Sequence, residues 1–301
     1  MTYRSVTQIT RRTWVAGAAS MAVISPAFSG SVTLAQSITA SATFRKKTLA
    51  TRLDWLNERL LTEIAAMPLK GLDHVEPETI TTHIDEIGEI LIVLREGSKE
   101  YQLGVERNVG IQFLLDDLRG IWGPYEALSR QVVQAGAAAE ADMEVLERHN
   151  EAFEAMAADL VDKIYEVYSA KAMSVETARS LKILSHAITR TQMMKKYIVL
   201  AVVGFHTDEE LAKLKEAASI FGLQMRALIK DNANYGMAPP PTPAAEAALK
   251  QVEASWSALE PVIAELDAGA VRDKGTLDRY WTESETINES LYAALEEFEG
   301  S

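Results

Sequence analysis

The chain repeats itself at a fixed interval, and that interval limits the architectures open to it. Leu94 and Leu228, Tyr101 and Tyr235, Leu115 and Leu249, and Trp122 and Trp256 are each 134 residues apart. The flanking pattern agrees at Ile87/Phe221, Gly88/Gly222, Leu91/Met225, Leu118/Val252 and Leu128/Val262. Asn150-Glu151 returns as Asn288-Glu289 at a spacing of 138, so the second copy carries a small insertion. Two copies of about 120 residues, roughly 46–170 and 178–301, account for most of the chain, and each has the size of a four-helix bundle.

The periodicity inside each copy is helical, and no run shows the alternation of a half-buried strand. Leu49, Leu53, Leu56, Leu60, Ile64 and Met67 form one apolar stripe that ends at Pro68. A second helix starts near Pro77, presents Ile80, Ile84, Ile87, Leu91 and Leu94, and stops at Gly97. The third carries Leu114, Leu118, Ile121, Tyr125, Leu128 and Val132, with a kink or break expected at Gly120, Gly123 and Pro124. From Ala137 to about Val203 no proline occurs, which reads as one very long helix or two nearly collinear ones. Thr207-Asp208-Glu209-Glu210 has the form of a capping box opening a helix to about Asn232. Thr242-Pro243 opens the next, and a last helix covers roughly Thr276 to Phe298. The expected fold is all-α: two tandem four-helix-bundle-like units joined by a long helix.

The first 35 residues read as a leader rather than as fold. Arg11-Arg12 stands before Trp14-Val15, the pattern of a twin-arginine export signal, and a mildly apolar run from Trp14 to Phe28 follows. Spanning a bilayer takes about 20 apolar residues, which this run lacks. Thr33-Leu34-Ala35 places small residues where a signal peptidase reads, so cleavage is expected before Gln36. The division is then a twin-arginine-type signal peptide over 1–35, a first unit over 36–172 and a second over 173–301. Losing the leader removes three arginines and no acid, taking the net charge from −13 to −16. That charge argues against nucleic acid as a partner and against stable membrane insertion after cleavage. With no cysteine, thiolate-held cofactors are excluded, and an oxidising periplasm is the expected location.

The layout resembles the N-terminal sensory domain of type IV pilus methyl-accepting chemotaxis transducers, the PilJ-type domain, a relative of the periplasmic input domain of nitrate-sensing histidine kinases. The residues that carry the resemblance are Ala50 to Arg59, Leu94 to Gly97, Trp122 and Asn150 in the first unit. In the second they are Ser185 to Tyr197, Leu228, Trp256 and Asn288. The resemblance implies a helical module that responds to a small ligand, with an arginine of the first helix binding an anion across a two-fold axis. Asp54 stands at that position in the first unit. In the second it is Ala187 in one register and Arg190 in another, one helical turn away.

The basic candidates for an anion site are Arg52 and Arg59 with Trp55 between them, and Arg190 and Lys195, with Lys196 beside them, on the second unit's first helix. Micromolar affinity needs roughly −8 kcal/mol, and one charge-assisted hydrogen bond contributes about 1.5–3 kcal/mol, so three or more donors must converge. The competing reading pairs Arg59 with Glu63 four residues on and leaves Arg52 in water. Trp122 and Trp256 read as core, and Tyr101 and Tyr235 as loop residues covering a bundle end.

The five histidines show no metal-ligand spacing, and no phosphate loop or nucleophile elbow is present. The chain is therefore expected to be no enzyme, with no cofactor or metal. The expected function is that of a soluble periplasmic sensory module for a small anion such as nitrate or nitrite, passing its state to a periplasmic or membrane-bound partner protein. The alternatives are a helical scaffold for protein interactions without a small ligand, and a metal- or haem-binding helical bundle.

Overall fold

The computed structural model describes residues 31–69, 76–169, 173–230, 232–266 and 274–300, with side chains outside 31–41, 274 and 300. The leader up to residue 30 lies outside this set, and the cleavage point before Gln36 falls within the first helix. The chain is all-α: α1 (Ser31–Ala66), α2 (Pro77–Glu96), α3 (Val109–Ala135), α4 (Glu140–Ser169), α5 (Val175–Val203), α6 (Thr207–Ile229), α7 (Pro243–Glu265) and α8 (Lys274–Gly300). An isolated antiparallel bridge, Ser98 to Leu103, closes the tight turn after α2.

Local chemistry sets most helix ends. The Asn108 side chain accepts from Ile111 N at the start of α3, Ser174 from Thr177 N at α5, and Thr242 from Ala245 N at α7. Gly136 and Gly204 end α3 and α5 in the left-handed region, where a side chain would be strained. Gly97 is needed for a second reason: at φ 79°, a Cβ there would lie 2.6 Å from Leu103 O across the turn.

Two expectations give way, and one in part. α3 is one continuous helix through Gly120, Gly123 and Pro124, so it does not break there. The stretch from Ala137 to Val203 is neither one helix nor two collinear ones, so no long helix joins the two halves. Asp162 of α4 meets Lys182 of α5, and Glu154 meets Lys196, so α4 and α5 run antiparallel. The capping box at Thr207 does not form. Thr207 donates to Ala201 O, the Glu210 carboxylate turns to Lys213, and Glu210 N bonds His206 O.

The helices pack as two closed rings. α1 touches α2, α2 touches α3, α3 touches α4, and α4 returns to α1, while α5 to α8 repeat the same circuit. The rings meet along α1 and α5. Trp122 packs with its Nε1 3.5 Å from the place a Cβ would take on Gly88, and Trp256 sits at the same 3.5 Å from Gly222. Both indoles are buried in their own ring, in matching surroundings. The Leu49, Leu53, Leu56, Leu60 and Ile64 stripe is buried in the first core, and Leu249, Val252 and Leu259 line the second.

Gly120 and Gly123 lie inside α3 with open space, their chain neighbours apart, where a Cβ would go. Gly120→Ala is expected to raise stability by about 0.5–1 kcal/mol, the helix-interior cost of glycine, and Gly123→Ala to gain less, because its Cβ would crowd the ring of Pro124. Gly97→Ala is expected to lower it by at least about 1 kcal/mol. Urea unfolding of the three variants measures this.

Candidate functional site

α1 and α5 are the first helices of the two copies, and they lie side by side and parallel. Thr51 Oγ1 meets Ser185 Oγ at 2.5 Å, Thr189 Oγ1 donates to Asp54 Oδ2 at 2.8 Å, and Gln192 Nε2 donates to Thr62 Oγ1 at 3.2 Å. Lys196 Nζ stands 2.6 Å from Glu58 Oε2. Thr51 and Ser185 are 134 residues apart, the interval of the repeat, so they are one position meeting its own copy across a pseudo-two-fold axis. The Lys196–Glu58 and Gln192–Thr62 contacts are mirror images of each other about that axis, whereas the Asp54–Thr189 bond has no counterpart, because the matching residues are Ile188 and Trp55. Glu58 and Lys196 correspond to Gln192 and Thr62, so the same contact is made once as an ion pair and once as a neutral hydrogen bond.

This seam is polar and buried along its length. Thr51, Asp54, Glu58 and Thr62 of α1, and Ser185, Thr189, Gln192 and Lys196 of α5, are all at most 4% exposed. Burying such groups costs several kcal/mol per unpaired charge, so their partners matter. Lys196 also donates to Asn150 Oδ1 at 2.8 Å and lies 3.5 Å from Glu154. Burial works against its charge, but the Glu58 and Glu154 carboxylates outweigh it and hold the proton more tightly than water does. Asn57 and Asn150 exchange amide-to-carbonyl hydrogen bonds at 3.2 and 3.0 Å, which ties α1 to α4. At the equivalent place in the second ring, Thr191 donates to Asn288 and ties α5 to α8.

Asp54 is the weak point of the seam. Its Oδ1 is buried without a hydrogen-bond partner. Burial pushes the carboxyl up to about 7; Thr189, His186 and Arg190 pull it down, and Glu154 adds to the rise.

The basic residues singled out from the sequence go to different places. Arg52 is held by Glu86 of α2 through two bonds of 2.9 and 3.0 Å, and its side chain is half-buried. Arg59 bonds Glu63 at 2.6 Å, and the second oxygen of Glu63 takes His83 Nδ1 at 2.7 Å. Both guanidiniums stack on the Trp55 ring, at 4.4 and 5.1 Å. Trp55 is buried, with its Nε1 unpartnered. Lys195 lies 4.8 Å over the Trp281 ring of α8 and 3.9 Å from Glu285. Arg190 makes no ion pair within 4.0 Å among the described residues; burial lowers its pKa, while Glu154, Tyr197, Asp54 and Glu216 favour its charge. The three arginines therefore do not converge. The register that Thr51 and Ser185 set also pairs Asp54 with Ile188, and not with Arg190.

Two of the candidates do meet. Arg59 and Lys195 line one cavity between α1, α5 and α8, together with Thr62, Glu63, Gln192 and Trp281. Its volume is about 10 Å³, room for a single water. Among the described residues, no cluster of three or more His, Asp or Glu side chains is arranged to hold a metal ion, and no helix is long and apolar enough to cross a membrane. No protein-family model matches the chain, and no curated protein matches its sequence significantly.

Two outcomes test this geometry. Removing the Lys196 ammonium leaves Glu58 buried and unpaired, so Lys196→Thr is expected to cost about 3–5 kcal/mol. Adding Glu58→Gln copies the neutral contact that Gln192 makes with Thr62, and the double variant is expected to regain most of that loss in urea unfolding. For Asp54, the folded chain binds the proton more tightly than the unfolded chain does. Its contribution to stability is fully present below the ordinary aspartate pKa and is lost as pH rises toward 7. The stability of Asp54→Asn relative to wild type should therefore rise between pH 5 and pH 8, by about 2–3 kcal/mol.

Proposed function

We propose that this protein is a non-catalytic, exported sensory module in which the α1–α5 seam is the moving part and its state is handed to a partner protein. The observation that supports this reading is a continuous polar contact, buried between two copies of one helix, where apolar side chains would pack at less cost. Helices joined by apolar interdigitation resist sliding. A seam made of a few hydrogen bonds and one ion pair has discrete alternative pairings, and a ligand can bias them.

The cavity beside the seam is where a small anion such as nitrate or nitrite enters. It is lined by three donors, the Arg59 guanidinium, the Lys195 ammonium and the Gln192 amide, while the Thr62 hydroxyl donates to Glu58 O. An anion takes the place of the Glu63 carboxylate on Arg59, while Glu63 keeps His83. Because the cavity has room for one water only, occupancy requires α1 and α5 to shift against each other. That displacement is the signal. Thermal unfolding with a nitrate, nitrite, chloride and sulfate panel tests the reading: nitrate or nitrite should raise the midpoint in wild type and not in Arg59→Gln. A flat response to every anion overturns it.

The scaffold reading has one observation in its favour. Val105, Val109 and Phe113 are 58, 60 and 65% exposed at four-residue steps leading into α3, an apolar stripe suited to another protein. A flat anion panel together with a partner recovered by cross-linking, and lost in Phe113→Ser, would select it. Export through the twin-arginine pathway predicts that Arg11→Lys with Arg12→Lys stops delivery to the periplasm, read by fractionation.

A further inference from the structure

The duplication supplies an internal control for a groove in the second ring. In the first ring, three ion pairs bridge α2 and α3: Asp85–Arg130 at 2.6 Å, Arg95–Asp116 at 2.9 Å and Glu96–Arg119 at 3.4 Å. Moving on 134 residues, the third survives with its charges exchanged, as Lys230–Glu253 at 2.7 Å. The second becomes Ile229 opposite Lys250, and Lys250 turns to Glu246 on its own helix. The first becomes Ser219 opposite Ala264. With two of three bridges gone, α6 and α7 leave an open groove of about 540 Å³, within the range of small-molecule sites.

The groove lacks the particular cation that the first ring supplies from its own chain. In the first ring, Arg130 bonds Glu126 at 2.8 Å as well as Asp85. Glu126 corresponds to Glu260, and Arg130 to Ala264. Glu260 is thereby left without a cation within 4.0 Å among the described residues, on the groove wall beside Trp256. Its Oε1 lies 3.7 Å, and Trp256 Nε1 3.5 Å, from the position a Cβ would take on Gly222, so carboxylate and indole adjoin. Met225, Ile229 and Leu223 continue the lining as an apolar wall, and Leu223 is 59% exposed. Lys230 is neutralised by Glu253, two helical turns along α7 from Glu260, and Arg226 stands one turn from Gly222 toward Lys230.

We propose that the α6–α7 groove binds an organic cation, an ammonium or guanidinium group on an apolar body. The charge takes the place beside Glu260 that Arg130 takes beside Glu126, and the apolar body lies along Trp256, Met225 and Ile229. An unpaired carboxylate attracts a cation by ion pairing, and a charge-assisted hydrogen bond from an ammonium or guanidinium adds to it. This site is separate from the α1–α5 seam and does not depend on how the seam works.

Titration of the full chain with phenylethylammonium, followed by tryptophan fluorescence and calorimetry, tests it. Saturable one-to-one binding is expected, at least fivefold weaker in Glu260→Gln, a solvent-facing change that leaves the fold intact. Hydrocinnamate, which carries a carboxylate on the same body, should not bind. Ser219→Asp with Ala264→Arg rebuilds the first ring's bridge and should abolish binding while unfolding cooperatively like the wild type. No saturable binding, equal binding of hydrocinnamate, or indifference to Glu260→Gln overturns the proposal.

Discussion

Everything in this molecule is organised around one costly contact, the burial of polar and charged side chains between α1 and α5. Each of these helices is enclosed by its own ring on one side and by the other copy on the other, so the seam has no access to bulk water. Apolar residues there would be more stable on simple transfer grounds. What the polar set provides is register: in this alignment Thr51 meets Ser185 and Gln192 meets Thr62 together. From that alignment, the Asn57–Asn150 exchange and the Thr191–Asn288 bond carry the registration outward to α4 and α8.

The two rings reuse the same positions with different chemistry. Tryptophan packed against glycine is kept in both. Ion pairs on the surface are exchanged or dropped freely, consistent with the small free energy each contributes. In the seam the divergence is sharper: an ion pair on one side of the axis and an uncharged pair on the other, with Asp54 facing a threonine that leaves one of its oxygens unserved.

Much of the architecture could be read in the sequence, since helix limits rest on local chemistry. Pro77, Gly97, Gly136, Gly204 and Pro243 mark their helices within a residue or two. The end of α4 and start of α5 escaped because no proline or glycine lies between Ser169 and Val175; only Ser174, a capping residue in an unremarkable setting, marked the new start. Thr207 misled for the opposite reason: a good capping pattern lost to a tertiary bond with Ala201. The pairing of Arg59 with Glu63 is four residues long and was foreseeable, but the Glu86 that holds Arg52 comes from another helix and carries no sequence signal. The seam itself left a trace that hydrophobic stripes do not register. Thr51 and Glu58 on one helix, and Ser185 and Gln192 on the other, are polar at the same two places in both copies, seven residues apart.

Covalent fusion of the two copies has a consequence for stoichiometry. A symmetric homodimer must build any contact off its axis twice, so an acid facing a base on one side is mirrored by the same pair on the other. In a single polypeptide that obligation is gone. Glu58 and Lys196 form one charged lock, and its mirror image is neutral. A module built this way is asymmetric at its centre, so a displacement of one helix along the other has a direction.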